Sequence, residues 1–463
     1  MKWSTLLFAV LFSLQKAVSA YKAAVLEYQP TVADTAQNTI LKNLEEYRKF
    51  AEKAAAQQVD ILVFPEYGLT TLVVDPEDYA VEITNENVVI KKLRRLARDH
   101  HMYVVVNLLE KVGEQEIYYN TNLVFDRTGS VIAKYRKINL FNEPKLAPGL
   151  VNQTVTFATN FGVNFGLFTC FDILYWNPSR TLLAKGAVRD VVYPTSWFST
   201  TPFYASLTVQ HGYAVSTGVN LLASNYGVPP ETHGGSGIYL PGDKTAKIYL
   251  DAKSGSKLVI QNVPNQKNKP NSTCISAVTH FLPFLVPILT SASNISNYVT
   301  LRNFEALRYK FRRVNLAQKN QSVRICDRKF CCTFDLSVDT QRVTPSDIFK
   351  VMAFDGVVPF DRSTAHIRVC SLVACRDDSD ESCGVRVTTG TKFNKMAVYG
   401  NFEKDNTTFY TPLTLTYDLL PITKSLFCDN KRANGSIELS TTEPQQNVLV
   451  FGLFGRTNSI IAE

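Results

Sequence analysis

The chain has 463 residues, of which 45% are hydrophobic and 19% are charged. That composition excludes a mainly disordered chain, a collagen and a charged coiled coil, and the length fits two to four domains or one large domain with a smaller one. The formal net charge is +8, and it is +6 without Lys2 and Lys16 of residues 1–20. A charge of this size is mild for a chain of this length and does not indicate a nucleic-acid partner.

Residues 1–20 have the pattern of a secretory signal peptide. Lys2 gives a basic start, an apolar stretch follows, and small residues end at Ala20, before a cleavage point predicted near Tyr21. The alternative is an uncleaved anchor helix, but the apolar stretch is too short to span a bilayer and Lys16 interrupts it. We therefore expect export.

Six Asn-X-Ser/Thr sequons support a secreted, extracellular glycoprotein, because such sites are used on exported chains. The predicted glycosylation sites are Asn152, Asn271, Asn294, Asn320, Asn406 and Asn434. No apolar stretch is long enough for a transmembrane helix, and the C-terminal end lacks the apolar tail of a lipid-anchor signal. Membrane anchoring is therefore disfavoured.

From Tyr21 the first half alternates apolar strands with amphipathic helices. The predicted strands are Ala23–Leu26, Ile61–Phe64, Tyr103–Leu108, Tyr118–Phe125, Val131–Tyr135, Val163–Phe168, Val188–Tyr193 and Asn220–Ser224. The predicted helices are one with Ile40, Leu44, Tyr47, Ala51 and Ala54 on its buried face, then Val88–Arg98, Pro178–Lys185 and Phe203–Ser216. Strands that alternate with helices in this way predict an α/β layered fold for residues 21–263.

The pattern changes after residue 263. We interpret residues 264–320 as a linker, because the segment begins polar and carries Pro264 and Pro270. Residues 321–463 are rich in Val, Thr, Phe and Tyr in short alternating runs, which predicts a second, mostly β domain. Its predicted strands include Ile367–Val369, Val385–Thr389, Met396–Tyr399 and Asn447–Phe451. Just before it, the alternating basic cluster Arg308–Arg313 is typical of an edge strand with one wet face.

Polar residues end three of the predicted strands of the first half, which is where α/β active sites usually form. Glu66 follows the strand at 61–64, Lys137 follows the strand at 131–135, and Cys170 follows the strand at 163–168. Taken singly, Glu66 fits a helix N-cap or a rim carboxylate, Lys137 a solvated lysine, and Cys170 a small buried apolar residue. Taken together they fit thiol catalysis, since a thiol needs a base to deprotonate it and a cation to hold the oxyanion.

Nine stretches of the sequence match a known family. They are Phe64-Pro-Glu66-Tyr-Gly-Leu, Tyr135-Arg-Lys137-Ile-Asn-Leu-Phe, Phe168-Thr-Cys170-Phe-Asp172-Ile-Leu, Tyr193-Pro-Thr-Ser-Trp197, Leu222-Ala-Ser-Asn225, Gly235-Ser-Gly-Ile-Tyr239, Cys326-x4-Cys331-Cys332, Ala353-Phe-Asp-Gly356 and Cys370-x4-Cys375. The first six resemble the nitrilase superfamily of carbon–nitrogen hydrolases, and the last three are similar to the base domain of its vanin/biotinidase branch. The resemblance covers nearly all of the chain after the leader.

The resemblance implies a nitrilase-type α-β-β-α sandwich followed by a mostly β, disulfide-rich domain. It makes Glu66 the general base and acid, Lys137 the residue that stabilises the oxyanion, and Cys170 the nucleophile. Glu143 matches a second glutamate that orients the site in many members. The backbone N–H of the residue after the nucleophile, Phe171, would be a second oxyanion donor.

Three residues are predicted to bind substrate: Phe171, Asp172 and Trp197. For two of them an alternative stays open, because Asp172 also fits an aspartate that caps the following turn, and Trp197 also fits a core aromatic. We expect no cofactor and no metal. Zinc at the Cys326–Cys332 cluster is disfavoured, since no histidine is near and an oxidising compartment favours disulfides.

The resemblance implies a small-molecule amide substrate, as in vanins, which hydrolyse pantetheine, and biotinidases, which hydrolyse biocytin. We favour a pantetheinase-like activity, keep biotinidase-like activity as the alternative, and keep a non-catalytic secreted binding protein as an alternative of another class. The sequence does not determine the oligomeric state.

Eight of the nine cysteines lie in the second half, and Cys170 stands alone in the first. Six of the eight lie in the segments similar to the base domain, so we expect the other two, Cys274 and Cys428, to pair with each other. We expect Cys170 to stay free because the resemblance makes it the nucleophile.

Overall fold

The computed structural model describes residues 20–72, 75–114, 116–184, 186–241, 246–265, 274–276, 295–303, 308–360, 363–402, 408–429 and 436–457. The predicted signal peptide, except Ala20, lies outside these residues, as do four of the sequons, Asn271, Asn294, Asn406 and Asn434. The other two sequon residues, Asn152 and Asn320, are exposed. Among the described residues, no helix is long and apolar enough to cross a membrane.

The first half contains the predicted strands and most of the predicted helices. The helices are α1 (Ala36–Ala55), α2 (Val88–Asp99) and α3 (Ser206–Thr217). The strands are β1 (Ala20–Glu27), β2 (Ile61–Val63), β3 (Tyr103–Val112), β4 (Ile117–Phe125), β5 (Val131–Arg136), β6 (Val155–Ala158), β7 (Asn164–Leu167), β8 (Asp190–Pro194), β9 (Thr200–Thr201), β10 (Asn220–Ser224), β11 (Ser236–Tyr239), β12 (Lys247–Tyr249) and β13 (Lys257–Pro264).

Two six-stranded sheets face each other in this half. Their strand orders are β13-β1-β2-β3-β4-β5 and β12-β11-β10-β8-β7-β6. Because successive strand residues point to opposite faces, Val25 and Val63 of the first sheet pack toward Val192 of the second, while Leu26 and Leu62 pack toward α1 and α2. With α3 packed against the second sheet, the layers are α-β-β-α, and the predicted fold class is confirmed.

The helices differ in how much of their surface is buried. In α1 the five residues predicted from spacing are buried, and Thr35 caps the helix by accepting a hydrogen bond from the Asn38 backbone N–H. In α3 every residue from Ser206 to Val215 is buried, because the helix also packs against the second half of the chain, where its Thr208 hydroxyl donates to the Thr414 carbonyl at 2.8 Å.

The second half is mostly β, as predicted. Its strands are β14 (Cys274–Ser276), β15 (Leu301–Arg302), β16 (Lys310–Arg313), β17 (Asn320–Asp327), β18 (Phe330–Val338), β19 (Ile348–Phe360), β20 (Ser363–Cys375), β21 (Phe393–Gly400), β22 (Thr408–Thr416), β23 (Ser425–Asp429), β24 (Ile437–Thr441) and β25 (Val448–Thr457). All of them except β15, which pairs with β9 of the first half, form sheets ordered β14-β23-β24-β21-β18-β17 and β16-β19-β20-β25-β22. β16 lies at a sheet edge, so the basic cluster is the edge strand that its alternation predicted.

Two predicted elements are wrong. The predicted helix Pro178–Lys185 is a single 3-10 turn at Thr181–Leu183, and Gly186, with φ of +71°, has the left-handed conformation that ends a helix. The predicted strand Val385–Thr389 is irregular. The Arg386 side chain holds this segment in place, because its guanidinium donates hydrogen bonds to the backbone carbonyls of Ile295, Tyr298 and Tyr417.

Four disulfides join all eight cysteines of the second half. They are Cys274–Cys428, Cys326–Cys331, Cys332–Cys370 and Cys375–Cys383. Cys274–Cys428, the pair that was predicted, joins β14 to β23, and Cys170 is the free cysteine, as expected.

We expect the denatured, unreduced protein to titrate one thiol per chain and the reduced protein to titrate nine. The reason is that every cysteine except Cys170 is in a disulfide. Alkylation in denaturant followed by peptide mapping should place the label on Cys170. A second labelled cysteine would contradict the pairing.

Candidate active site

Three strand ends bring the predicted catalytic side chains to one cavity. Glu66 follows β2, Lys137 follows β5 directly, and Cys170 begins a 3-10 turn three residues after β7. β2 and β5 belong to one sheet and β7 to the other. The cavity of about 600 Å³ is therefore lined from both sheets, and Glu143, from the loop after β5, lines it too.

Lys137 lies between two buried carboxylates. Its Nζ is 2.8 Å from Glu66 Oε1 and 2.8 Å from Glu143 Oε2, and the three side chains are 2%, 1% and 8% exposed. Burial disfavours the ammonium, but the negative charges of Glu143 and Glu66 outweigh burial and raise the pKa of Lys137 well above its ordinary value. Burial likewise opposes the charge of Glu143, yet Lys137 and its hydrogen bonds lower the pKa of that carboxyl. Lys137 therefore stays charged at neutral pH.

Two residues that the sequence analysis did not single out hold the carboxylates in place. Asn120 Nδ2 lies 2.8 Å from Glu66 Oε1 and 2.7 Å from Glu143 Oε1, so one amide contacts both. Asn120 is in turn held by Asn107, whose Nδ2 is 2.6 Å from its Oδ1. The Tyr67 hydroxyl donates to Glu143 Oε1. The one sequence signal was the pair of asparagines at 120 and 122, polar residues inside an apolar strand.

The two oxygens of Glu66 have different surroundings. Oε1 accepts from Lys137 and Asn120, whereas Oε2 accepts from the Ser196 backbone N–H at 2.8 Å. Because a carboxylate oxygen can accept two hydrogen bonds, Oε2 has capacity for a further proton donor. Glu66 is therefore placed to act as a base through Oε2.

Cys170 occupies a strained turn. Its φ is +44°, in the left-handed region that residues other than glycine rarely adopt, and such a residue costs about 1–3 kcal/mol. The Tyr193 hydroxyl donates to its carbonyl oxygen at 2.8 Å and helps to hold the turn. Burial is the largest influence on the Cys170 thiol and raises its pKa. The negative charge of Glu66 raises the pKa further, and the positive charge of Lys137 opposes the shift. The thiol is therefore neutral at rest and needs a base to become a nucleophile.

Asp172 lies beneath this turn and is fully buried. Its carboxylate accepts hydrogen bonds from the Thr169 backbone N–H, the Tyr135 hydroxyl and the backbone and side chain of Asn139. It does not line the cavity, so its position favours the capping alternative over contact with substrate. Burial raises the pKa of Asp172 to about 6.

Phe171 and Trp197 do line the cavity. The Trp197 indole N–H donates to the Tyr204 carbonyl at 2.8 Å, and its backbone N–H donates to Asn225 Oδ1 at 2.8 Å, which fixes the residue at the wall. The remaining walls are rich in aromatic and aliphatic side chains. They include Tyr67, Leu72, Phe141, Leu174, Phe198, Tyr204, Val358, Pro359, Phe360 and Ile367, with Arg302, Asn303 and His233 among the polar ones.

The arrangement has the parts that acyl transfer through a thiol requires. A neutral thiol, a carboxylate and a charged ammonium line the same cavity, and the carboxylate and ammonium are in hydrogen-bond contact. No group of three His, Cys, Asp or Glu side chains suited to a metal ion occurs within the described ranges.

Comparison with known proteins gives the family. Residues 22–248 match the carbon–nitrogen hydrolase family and residues 298–459 match the Vanin C-terminal domain. Vanin-like protein 1 of Drosophila melanogaster is 30% identical over 483 residues, which cover 94% of this chain and 85% of that protein. The chain belongs to the vanin family of carbon–nitrogen hydrolases.

Other similar proteins include human pantetheinase and bovine biotinidase. They are 27% and 28% identical, and the matches cover 92% and 87% of this chain and 85% and 86% of the relatives. Among solved structures, the crystal structure of Saccharomyces cerevisiae Nit3 covers 53% of this vanin-family chain and 90% of Nit3, at 19% identity and a TM-score of 0.43. The family makes the chain a hydrolase that acts on carbon–nitrogen bonds of amides.

We expect Lys137→Met to lower the free energy of unfolding at pH 7 by about 3–5 kcal/mol, because it leaves two buried carboxylates without their cation. Lys134→Met, on β5, is the control. Lys134 is 43% exposed and pairs with Glu110 at 2.9 Å, so its loss should cost less than about 1 kcal/mol. Urea denaturation would measure both, and wild-type stability in Lys137→Met would contradict the role given to this ion pair.

The depressed pKa of Glu143 predicts a pH-dependent contribution to stability. The ionised carboxylate stabilises the folded chain above the unfolded pKa of about 4.3, and that contribution is lost as pH falls through the lower folded pKa. The difference in unfolding free energy between wild type and Glu143→Gln should therefore be largest near neutral pH and should shrink below about pH 4. Urea denaturation across a pH series measures it, and a difference that does not change with pH would contradict the assignment.

Proposed function

We propose that this vanin-family chain is a secreted, pantetheinase-like amidohydrolase that cleaves pantetheine to pantothenate and cysteamine through a thioester on Cys170. The observation that carries the proposal is the contact of Lys137 with Glu66 at 2.8 Å beside a neutral, buried Cys170. The three residues supply the cation, the base and the nucleophile of a thiol amidase without a histidine.

The proposed first step forms the thioester. Glu66 takes the thiol proton, and Cys170 sulfur attacks the amide carbonyl carbon. The negative charge that develops on the carbonyl oxygen is held by Lys137 and by the Phe171 backbone N–H. The C–N bond then breaks, and Glu66 returns the proton to the leaving amine.

The second step releases the acid. A water molecule gives a proton to Glu66 and attacks the thioester carbonyl. The bond to sulfur breaks, the Cys170 thiolate regains the proton from Glu66, and the carboxylic acid leaves. Glu143 and Asn120 do not exchange protons in this scheme. They fix Lys137 and Glu66 in position through the hydrogen bonds described above.

Support for pantetheine comes from the walls and from the relatives. Besides Glu66, Lys137, Glu143 and Arg302, the cavity of about 600 Å³ is lined mainly by apolar side chains, which suits a linear amide with an uncharged chain. Human pantetheinase is among the similar proteins. Bovine biotinidase is similar to the same degree, so biocytin is the substrate to test against pantetheine.

Support for secretion comes from the signal-like residues 1–20 and from the chemistry of the cysteines. Four disulfides persist in oxidising compartments, and the sequon residues Asn152 and Asn320 are exposed. A eukaryotic host should therefore release the chain into its medium with N-linked glycans.

The test compares wild type and Cys170→Ala, both purified from such a medium, on pantetheine and on biocytin. We expect wild type to release cysteamine from pantetheine faster than it releases lysine from biocytin. Cys170→Ala should lower kcat at least about 10³-fold while the thermal midpoint stays near that of wild type, because the variant loses the nucleophile and keeps the fold.

The other outcomes separate the alternatives. Faster hydrolysis of biocytin would overturn the pantetheine proposal in favour of biotinidase-like activity. Near-wild-type turnover in Cys170→Ala would overturn the mechanism. Alkylation of Cys170 without hydrolysis of any amide would support the non-catalytic binding protein. A chain retained inside the host cell would contradict secretion.

A further inference from the structure

The second domain forms part of the wall around the nucleophile. β19 and β20 pair along their whole length, from Ile348 opposite Cys375 to Phe360 opposite Ser363, and form a long hairpin. Val358, Pro359 and Phe360 near its tip, and Ile367 on its second strand, line the same cavity as Cys170. These side chains are all uncharged, and they share the cavity wall with groups of the first half.

Phe360 joins the two halves at this wall. Its ring centroid lies 6.3 Å from that of Phe171, the residue after the nucleophile, and 6.0 Å from that of Tyr204. Both of these neighbours line the cavity too. Aromatic pairs at such separations have favourable edge and tilted contacts. The Phe360 ring is therefore built into the wall beside the reacting sulfur.

A buried cation lies behind this ring. The guanidinium of Arg456 on β25 is 4.2 Å from the ring centroid of Phe360 and 4.1 Å from that of Tyr175, a residue of the first half. Arg456 is fully buried, and burial lowers the pKa of its guanidinium. A planar cation between two aromatic rings is attracted to both faces, so the stack fixes Phe360 relative to the first half.

We propose that Phe360 selects the substrate by packing against the uncharged, apolar part of the amide, and that Arg456 is the positioning residue that holds its ring. Val358, Pro359 and Ile367 extend the same apolar surface, and a charged group placed against it would lose its hydration without gaining a partner there. The proposal rests on the proposed role of Cys170 as nucleophile, and does not depend on pantetheine being the substrate.

The experiment measures the rate at which Cys170 is alkylated by two reagents with the same reactive group. Iodoacetamide is the small reagent, and 2-iodo-N-benzylacetamide adds an apolar ring. The ratio is the second-order rate constant for 2-iodo-N-benzylacetamide divided by that for iodoacetamide. A higher ratio indicates that the added ring contacts the apolar wall. We expect Phe360→Ala to lower this ratio about tenfold, because the added ring loses its aromatic partner. The rate with iodoacetamide itself should stay within about threefold of wild type, because the reacting groups are unchanged.

Val357→Ala is the matched control. Val357 lies on the same strand three residues before Phe360 and is 48% exposed, so its truncation should leave the ratio within about twofold of wild type. Cys170→Ala identifies the labelled thiol, since it should remove the label. Because the readout is alkylation, a failure to hydrolyse pantetheine would leave this test intact.

Two results would overturn the role of Phe360. An unchanged or increased ratio in a folded Phe360→Ala protein would show that the ring makes no productive contact. Equal slowing of both reagents would show that Phe360 only supports the fold around the nucleophile.

Arg456→Lys tests the positioning role, since lysine lacks the planar guanidinium that stacks between the two rings. Like Phe360→Ala, it should lower the ratio of the alkylation rate constants, benzyl reagent over iodoacetamide. A change in thermal midpoint with an unchanged ratio would overturn the role of Arg456.

Discussion

The ion pairs of Lys137 constrain the whole active site. An ammonium at 2% exposure is costly to bury, and it is stabilised here because Glu66 and Glu143 each lie 2.8 Å away. That geometry requires the loop after β2, the end of β5 and the loop after β5 to meet at one edge of a sheet. It also requires Asn120 on β4 to bridge the two carboxylates. The strand order β2-β3-β4-β5 therefore positions the active site as well as the core. β4, which carries the amide donor Asn120, lies between β2 and β5, and the loops after those two strands carry Glu66 and Glu143.

The same charges explain why the thiol needs a base. In many thiol enzymes a nearby cation lowers the thiol pKa until the thiolate is the resting form. Here Lys137 is already neutralised by two carboxylates, and burial together with Glu66 keeps the Cys170 thiol protonated. In the proposed mechanism Glu66 takes the proton as sulfur attacks an electrophilic carbon, whether in an amide or in an alkylating reagent.

The sequence predicted the parts of the fold and site that depend on local pattern. Apolar strands that end in Glu66, Lys137 and Cys170 are visible because a charged or reactive residue after a buried strand is unusual, and the buried face of α1 follows from its spacing. The structure brings Glu66, Lys137, Glu143 and Cys170 to one cavity, and the disulfide Cys274–Cys428 was also anticipated.

What the sequence did not reveal depends on long-range contacts. Asn120 and Tyr67 act through partners 23 and 76 residues away, and the polar Asn120 inside an apolar strand does not by itself identify those partners. Asp172 was assigned two alternatives because only the turn geometry shows that Thr169, Tyr135 and Asn139 occupy its carboxylate. The helix predicted at 178–185 is short, and the left-handed conformation of Gly186 that ends the turn is visible only in the structure.

The contribution of the second domain also depends on contacts between residues that are far apart in sequence. Helix α3 is buried all round because the second domain covers the face that a helix of an isolated sandwich would show to water. The same docking brings the hairpin of β19 and β20 to the cavity and places Arg456 between Tyr175 and Phe360. The triad residues and the hairpin wall beside them thus come from different halves of the chain. In our proposal, changes in the hairpin alter which amide fits without disturbing the ion pairs of Lys137, because those pairs are with Glu66 and Glu143 of the first half.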